Sequence, residues 1–348
     1  MTRRPIIAVA TPLSVAAADE LCGIPDVQVR YEPTLLPSMR HPGDHVGDPS
    51  FTRTRSQQDE FDRLLVGADI WYGIPDESPA SLGRLLPGAP NLRWVQTMAA
   101  GGGAQVVASG LPRAALERVL FTTSAGVHGP PLAEFAVLGL LMGAKRVLQL
   151  QRDQRAHRWA DRTATTTLAG RTVLVLGLGG IGQEVARRCR ALGMRVLGVQ
   201  RNERHSDAVD HSFPPDRLIE AAQQADDLVI TLPGTAHTEG MVSTAVLRAL
   251  GSGATVVNVG RGTVIDEPAL LAELDCGTIG FAALDVFAEE PLPATSPLWE
   301  HPRVLISPHT AALDADEDLH IAQLFRDNLA AFRAGRPLRN VVDLDAGY

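Results

Sequence analysis

The sequence predicts an α/β protein built from two Rossmann-like, doubly wound parallel-sheet domains. Three observations predict it. Two successive series of short apolar strands alternate with helix-length segments, a glycine-rich turn joins a strand to a helix in the second series, and 348 residues suffice for two ordinary domains. The composition is globular, 45% hydrophobic and 21% charged. A formal net charge of -8 argues against a general nucleic-acid binder, because phosphate contacts dominate that affinity and no basic stripe offsets the acid.

The first series runs from Pro5 to Thr123, with strands in "IIAVA", "IWYGI", "LRWVQTM" and "VLFTT" and a helix in "QQDEFDRLLVGA". Pro5 and Pro12 interrupt the apolar start, so "PIIAVA" reads as a first strand rather than as a secretory leader. Between the strands, "PSMRHPGDHVGDPSFTRTR" lacks periodicity and reads as a long loop. His41, Asp44, His45 and Asp48 within it are expected to be solvated, and no metal site is expected anywhere in the chain.

A helix is expected from about Leu132 to Leu150, followed by a second series of strands: "TVLVLG", "MRVLGVQ", "DLVITL", "TVVNVG", "GFAALDVF" and "RVLISPH". The final stretch, "DADEDLHIAQLFRDNLAAFRAG", has helical spacing and is expected to cross back to the first domain. The nearest approach to a membrane span, "LAEFAVLGLLMGA", contains Glu134 and falls short of the ~20 apolar residues required. No membrane or nucleic-acid partner is expected. Cys22, Cys189 and Cys276 are odd in number and far apart, which fits a reducing cytoplasm better than a disulfide framework.

"TVLVLGLGGIG" sets Gly177, Gly179 and Gly182 in the G-x-G-x-x-G spacing, directly after a strand and at the mouth of a helix. The turn Gly177, Leu178, Gly179, Gly180, Ile181, Gly182 is therefore expected to hold a dinucleotide pyrophosphate against the helix N-terminus. An acid that grips the adenosine ribose should lie about 20 residues on. That place holds Gln200, followed by Arg201. A carboxylate would repel a 2′-phosphate, whereas Arg201 can pair with one, with Arg204 as a second charge and Asn202 as a neutral donor. NADP(H) is the preferred cofactor on this reading, with NAD(H) possible.

Three further motifs end predicted strands, where open α/β sheets bind ligands. Arg261 sits in "NVGRGT", Asp285 and Glu290 in "ALDVFAEEP", and His309 in "ISPHTA". In this order, behind this glycine turn, they resemble the D-isomer-specific 2-hydroxyacid dehydrogenases, which include glyoxylate/hydroxypyruvate reductases and phosphoglycerate dehydrogenases. The likeness runs from about Asp69 to Arg333. It implies a nucleotide domain, residues 128–310, inserted into a discontinuous substrate domain, residues 1–127 and 311–348, with the active cleft between them.

The resemblance implies catalytic roles for Arg261, Glu290 and His309, and a contact from Asp285 to the nicotinamide carboxamide. The chemistry agrees: a 2-oxo acid needs a cation for its carboxylate and carbonyl, and a proton donor for the oxygen that gains charge. "QTMAAGGGAQ" matches the family's substrate loop and puts Ala100 and Gly101 where backbone N–H groups meet the substrate carboxylate, though Gly102 and Gly103 depart from the family's pattern. His128, at the hinge, stays outside the triad. "QRAHRWADR" falls in a region the family uses for dimer contacts, which implies a homodimer with Trp159 packed across its two-fold.

The expected function is an NADP(H)-preferring oxidoreductase interconverting a small 2-oxo acid, of the glyoxylate or hydroxypyruvate kind, and its D-2-hydroxy acid. A dinucleotide-sensing corepressor-like protein and a phosphite-type dehydrogenase are the alternatives. Glu290 argues against a formate dehydrogenase, whose histidine lacks a paired acid.

Overall fold

The computed structural model describes residues 3–201 and 206–345. The chain divides into two compact units: Met1–His128 with Leu313–Tyr348, and Gly129–Ala312.

In the first unit, β1 (Ile6–Val9), β2 (Gln28–Arg30), β3 (Ile70–Tyr72), β4 (Trp94–Gln96) and β5 (Leu120–Thr122) form a parallel sheet in the order β2-β1-β3-β4-β5. The order reverses between β1 and β3, which opens a crevice at their carboxyl ends. β2 escapes the sequence reading because it is a short edge strand, none of whose residues is fully buried, so it carries no apolar run. The C-terminal helix, Glu317–Arg333, belongs to this unit for a packing reason: Ile321, Phe325 and Leu329 are buried in the same core as β1, β3 and β4. Phe325 stacks on Trp94 at 4.6 Å and meets Tyr72 edge-on at 5.1 Å.

The 37–55 segment contains no strand or helix before Arg55 and is largely open to solvent as its composition suggests, but Asp44 and Gly47 are buried. Asp44 is 4% exposed, and its carboxylate accepts hydrogen bonds from the Arg40 and Gly47 N–H groups and from the Arg40 guanidinium. A loop that satisfies its own polar groups can be buried, and composition does not reveal such pairing.

In the second unit, seven parallel strands run in the order β12-β11-β10-β9-β6-β7-β8. They are β6 (Thr172–Leu176), β7 (Arg195–Val199), β8 (His211–Phe213), β9 (Asp227–Ile230), β10 (Ala254–Asn258), β11 (Ile279–Leu284) and β12 (Val304–Ile306). Alternate residues face two separate cores: Leu174, Leu228 and Val256 one, and Val173, Val229 and Val257 the other. The helix expected over Leu132 to Leu150 is two helices, Gly129–Lys145 and Val147–Arg155, separated at Arg146 by a left-handed φ of 51°. The reversal of strand order falls between β6 and β9, beside the glycine turn. Among the described residues, no helix is long and apolar enough to cross a membrane.

Candidate active site

The glycine turn connects β6 to the helix Gly180–Ala191. Gly177 has a φ of 103° that side chains rarely adopt, and a Cβ on Gly182 would collide with the Gly177 carbonyl. By contrast, a Cβ on Gly179 or Gly180 meets nothing within 4 Å. The turn is thus tight beneath and open above. No side chain caps the helix, which leaves its first N–H groups as donors for an anion. This cradle fits a dinucleotide pyrophosphate. Thr231, which the sequence reading missed, donates through Oγ1 to the Gly177 carbonyl at 2.7 Å and fixes the turn to the end of β9.

Arg201 is exposed and follows β7 after Gln200. Ser206 Oγ donates to Gln183 Oε1, on the helix behind the glycine turn, at 2.8 Å. A cavity of about 500 Å³ there is lined by Gln183, Arg187, Arg190 and Ser206 among others. Asn202 and Arg204 lie outside the described residues.

The three later motifs sit on neighbouring strands at the carboxyl edge of the same sheet: Arg261 after β10, Asp285 and Glu290 after β11, and His309 after β12. His309 Nδ1 and Glu290 Oε2 are 2.7 Å apart, with side chains 46% and 35% exposed. Glu290 Oε1 accepts the Phe287 N–H at 2.9 Å. Burial raises the Glu290 carboxyl, but its bonds to His309 and Phe287 and the fields of His309 and Arg261 outweigh that and hold it below the usual carboxylate value.

His309 occupies the left-handed region, φ 56°. Its neighbours hold it there. The His309 N–H donates to the Asp285 carbonyl at 2.9 Å, and Asp285 Oδ1 accepts from Ser307 Oγ at 2.6 Å and from the Thr310 and Ala311 N–H groups at 2.9 and 3.0 Å. Asp285 is 1% exposed. It therefore pins the histidine loop, a position the sequence motif did not disclose.

Asn258, buried at the end of β10, braces the arginine turn: its amide donates to the Arg261 carbonyl and its carbonyl accepts the Gly260 N–H, both at 3.0 Å. A Cβ on Gly262 would collide with Phe287, so glycine at that position lets the Arg261 turn lie against the loop carrying Glu290. Arg261 itself is exposed, and its guanidinium donates to the Gly260 carbonyl at 2.7 Å. An asparagine ending the otherwise apolar run "ATVVN" was the available signal for this brace.

In the first unit, Ala100 and Gly101 form an exposed turn between β4 and the short helix Gly103–Val107. Their N–H groups donate to no described residue, while the turn is closed from below by a Gly102 N–H bond to the Ala99 carbonyl at 3.2 Å. Such a turn presents two backbone donors. Among the described residues, no group of histidine, cysteine and acidic side chains could hold a metal ion.

The family model for the D-isomer specific 2-hydroxyacid dehydrogenase NAD binding domain matches residues 137–311. The chain belongs to the D-isomer specific 2-hydroxyacid dehydrogenase family. This dehydrogenase is 33% identical over 267 residues to a glyoxylate reductase of Aeropyrum pernix, covering 74% of this chain and 78% of that one. Two solved structures align with it at a TM-score of 0.74, each over 99% of this chain and 100% of the other. One, 29% identical, is a D-isomer specific 2-hydroxyacid dehydrogenase from Xanthobacter autotrophicus in complex with NADPH and MES. The other, 26% identical, is an NADPH-dependent glyoxylate/hydroxypyruvate reductase from Sinorhizobium meliloti in complex with NADP and sulfate. The family places this dehydrogenase among the NAD(P)-dependent enzymes of 2-hydroxy acids.

Proposed function

We propose that this dehydrogenase is an NADP(H)-preferring reductase of small 2-oxo acids such as glyoxylate and hydroxypyruvate, yielding the D-2-hydroxy acid. The observation that carries the reading is the His309–Glu290 pair, 2.7 Å apart and half open to water, with Glu290 after β11, the strand between those that carry His309 and Arg261. Bound nicotinamide dinucleotide supplies the hydride that reduces the carbonyl carbon. His309 Nε2, the ring nitrogen turned away from Glu290, gives the proton to the carbonyl oxygen. Glu290 fixes the ring and faces the charge it carries when protonated. Arg261 pairs with the carboxylate and polarises the carbonyl.

Residues 1–127 and 311–348, which nearly coincide with the first unit, are the proposed substrate domain, with the Ala100 and Gly101 N–H groups as carboxylate donors. The unit of residues 128–310 binds the dinucleotide through Gly177 to Gly182. Asp285 Oδ1 is taken by the histidine loop, and Oδ2, to which no described residue donates, is assigned to the nicotinamide carboxamide. Arg201, next to the Gln200 that stands in the place of the usual acid, supports NADP(H), as do the relatives solved with NADPH and NADP. Trp159, fully exposed, supports a homodimer, and three free thiols support a cytoplasmic location.

The test is direct. Purified enzyme mixed with NADPH and a panel of 2-oxo acids is expected to lose absorbance at the nicotinamide band with glyoxylate or hydroxypyruvate. Absence of oxidation of both NADPH and NADH across the panel contradicts the reading.

A further inference from the structure

The first unit holds a second set of polar side chains that the proposed reaction does not use. His45 comes from the 37–55 segment, Glu77 from the turn after β3, Gln105 from the helix after β4, His128 from the end of the segment after β5, and Glu317 and Asp318 from the start of the C-terminal helix. His128 Nε2 lies 2.9 Å from Glu317 Oε1, and His45 Nε2 lies 3.6 Å from the same oxygen. His45 Nδ1 is 3.7 Å from Asp318 Oδ1, and its carbonyl accepts from Thr11 Oγ1 at 3.0 Å. Gln105 Nε2 donates to the Glu77 carbonyl at 3.3 Å.

Two features set this cluster apart from a settled core. The first is its place. Thr11 follows β1 and Glu77 follows β3, so His45 and Glu77 are carried to the crevice where the strand order reverses, the position at which open parallel sheets take ligands. Gln105 lies one helical turn beyond Gly101, which ties the cluster to the proposed carboxylate donors.

The second feature is what the cluster leaves unpaired. The Asp318 and Glu317 side chains are 2% and 5% exposed. Yet Asp318 Oδ1, Glu317 Oε2, Glu77 Oε1, Gln105 Oε1 and both ring nitrogens of His45 are buried with no hydrogen-bond partner among the described residues. A buried polar atom left unpaired is costly, and native interiors rarely tolerate it. Most of these atoms are oxygens that accept. Burial pushes the Glu77 carboxyl up to about 7 against the opposing field of His45, so charge there is costly.

We propose that His45, Glu77 and Gln105 line the pocket for the substrate's tail and select 2-oxo acids whose third carbon carries a hydrogen-bond-donating hydroxyl. The inference rests on the 2-oxo acid reductase reading above. A hydroxyl satisfies the waiting acceptors, a methyl group of the same size leaves them unpaired, and an anionic tail meets Glu317 and Asp318. Sites built to bond a hydroxyl discriminate strongly against the analogue that lacks it.

The experiment measures kcat/KM with NADPH for glyoxylate, hydroxypyruvate, pyruvate and 3-phosphohydroxypyruvate. Hydroxypyruvate is expected to exceed pyruvate by about 100-fold or more, with the phosphorylated acid also disfavoured. Glu77→Met, His45→Phe and the milder Gln105→Leu, each checked for folding by thermal melting, are expected to lower the hydroxypyruvate-to-pyruvate ratio by about tenfold, roughly the loss of one hydrogen bond.

A wild-type ratio near one overturns the proposal, and that test requires no variant to fold. A high wild-type ratio that persists in all the folded variants overturns it as well. Glyoxylate separates the two levels of the argument: without its turnover the reductase reading fails, whereas turnover with no preference for the hydroxyl defeats only the tail pocket.

Discussion

Two histidine–carboxylate clusters stand at the carboxyl edges of two parallel sheets, and their exposure separates them. His309 and Glu290 in the second unit are 46% and 35% exposed. In the first unit, the carboxylate shared by His128 and His45 belongs to Glu317, whose side chain is 5% exposed. Burial raises the Glu317 carboxyl, but His128, bonded to it, and His45, 3.6 Å away, hold it down to about 2. Water can carry protons to and from the open pair, while the carboxylate at the centre of the closed cluster is shut away from it. On the roles proposed above, the same residue types serve proton transfer in one unit and stability and recognition in the other, and solvent access separates those uses.

Four substitutions probe that contrast, the largest effect first. Glu290→Gln, at the open pair, is expected to lower kcat for 2-oxo acid reduction by about 100-fold while NADPH titration by fluorescence shows binding retained. Its counterpart Glu317→Gln is expected to act on stability, costing about 1–3 kcal/mol at neutral pH in urea unfolding. The sign with pH follows from the depressed value. Glu317 contributes stability that is complete above the ordinary 4.5 and is lost as pH falls toward about 2, so the variant should show a flatter acid limb.

Arg201→Ala leaves both clusters intact and is expected to weaken NADPH about tenfold relative to NADH, measured as the ratio of dissociation constants. The smallest change comes from Glu77, whose raised carboxyl has the opposite sign. It favours the fold below 4.5 and loses that contribution as pH rises toward about 7. Glu77→Gln is therefore expected to raise the melting temperature slightly at pH 8, where Glu317→Gln lowers it.

The placement of the proposed reacting set on one sheet edge was legible because its motifs end strands. Arg261, Asp285 and His309 come directly after apolar runs, and the glycine turn lies between a strand and a helix, so local pattern alone places them on one sheet edge. The supports behind them were not legible. Nothing in "ALDVF" tells that Asp285 Oδ1 collects donors from Ser307, Thr310 and Ala311, because those bonds depend on the pairing of β11 with β12.

The tail cluster was hidden for the same reason, more severely. His45 lies in a segment without periodicity, and Glu317 and Asp318 lie in "DADED", which reads as a solvated helix start. Their burial comes from partners far away in sequence, such as Ser14 and His128. Arg146 interrupts its helix in a conformation that arginine does not advertise.

The central claim is that His309 passes the proton in a dinucleotide-dependent reduction of a 2-oxo acid. The most direct measurement is single-turnover NADPH oxidation by glyoxylate in wild type and His309→Ala, with NADPH affinity determined on both. The account predicts rapid oxidation by the wild type and a loss of about 100-fold or more in the variant, at unchanged NADPH affinity. Near-wild-type oxidation by His309→Ala would contradict it.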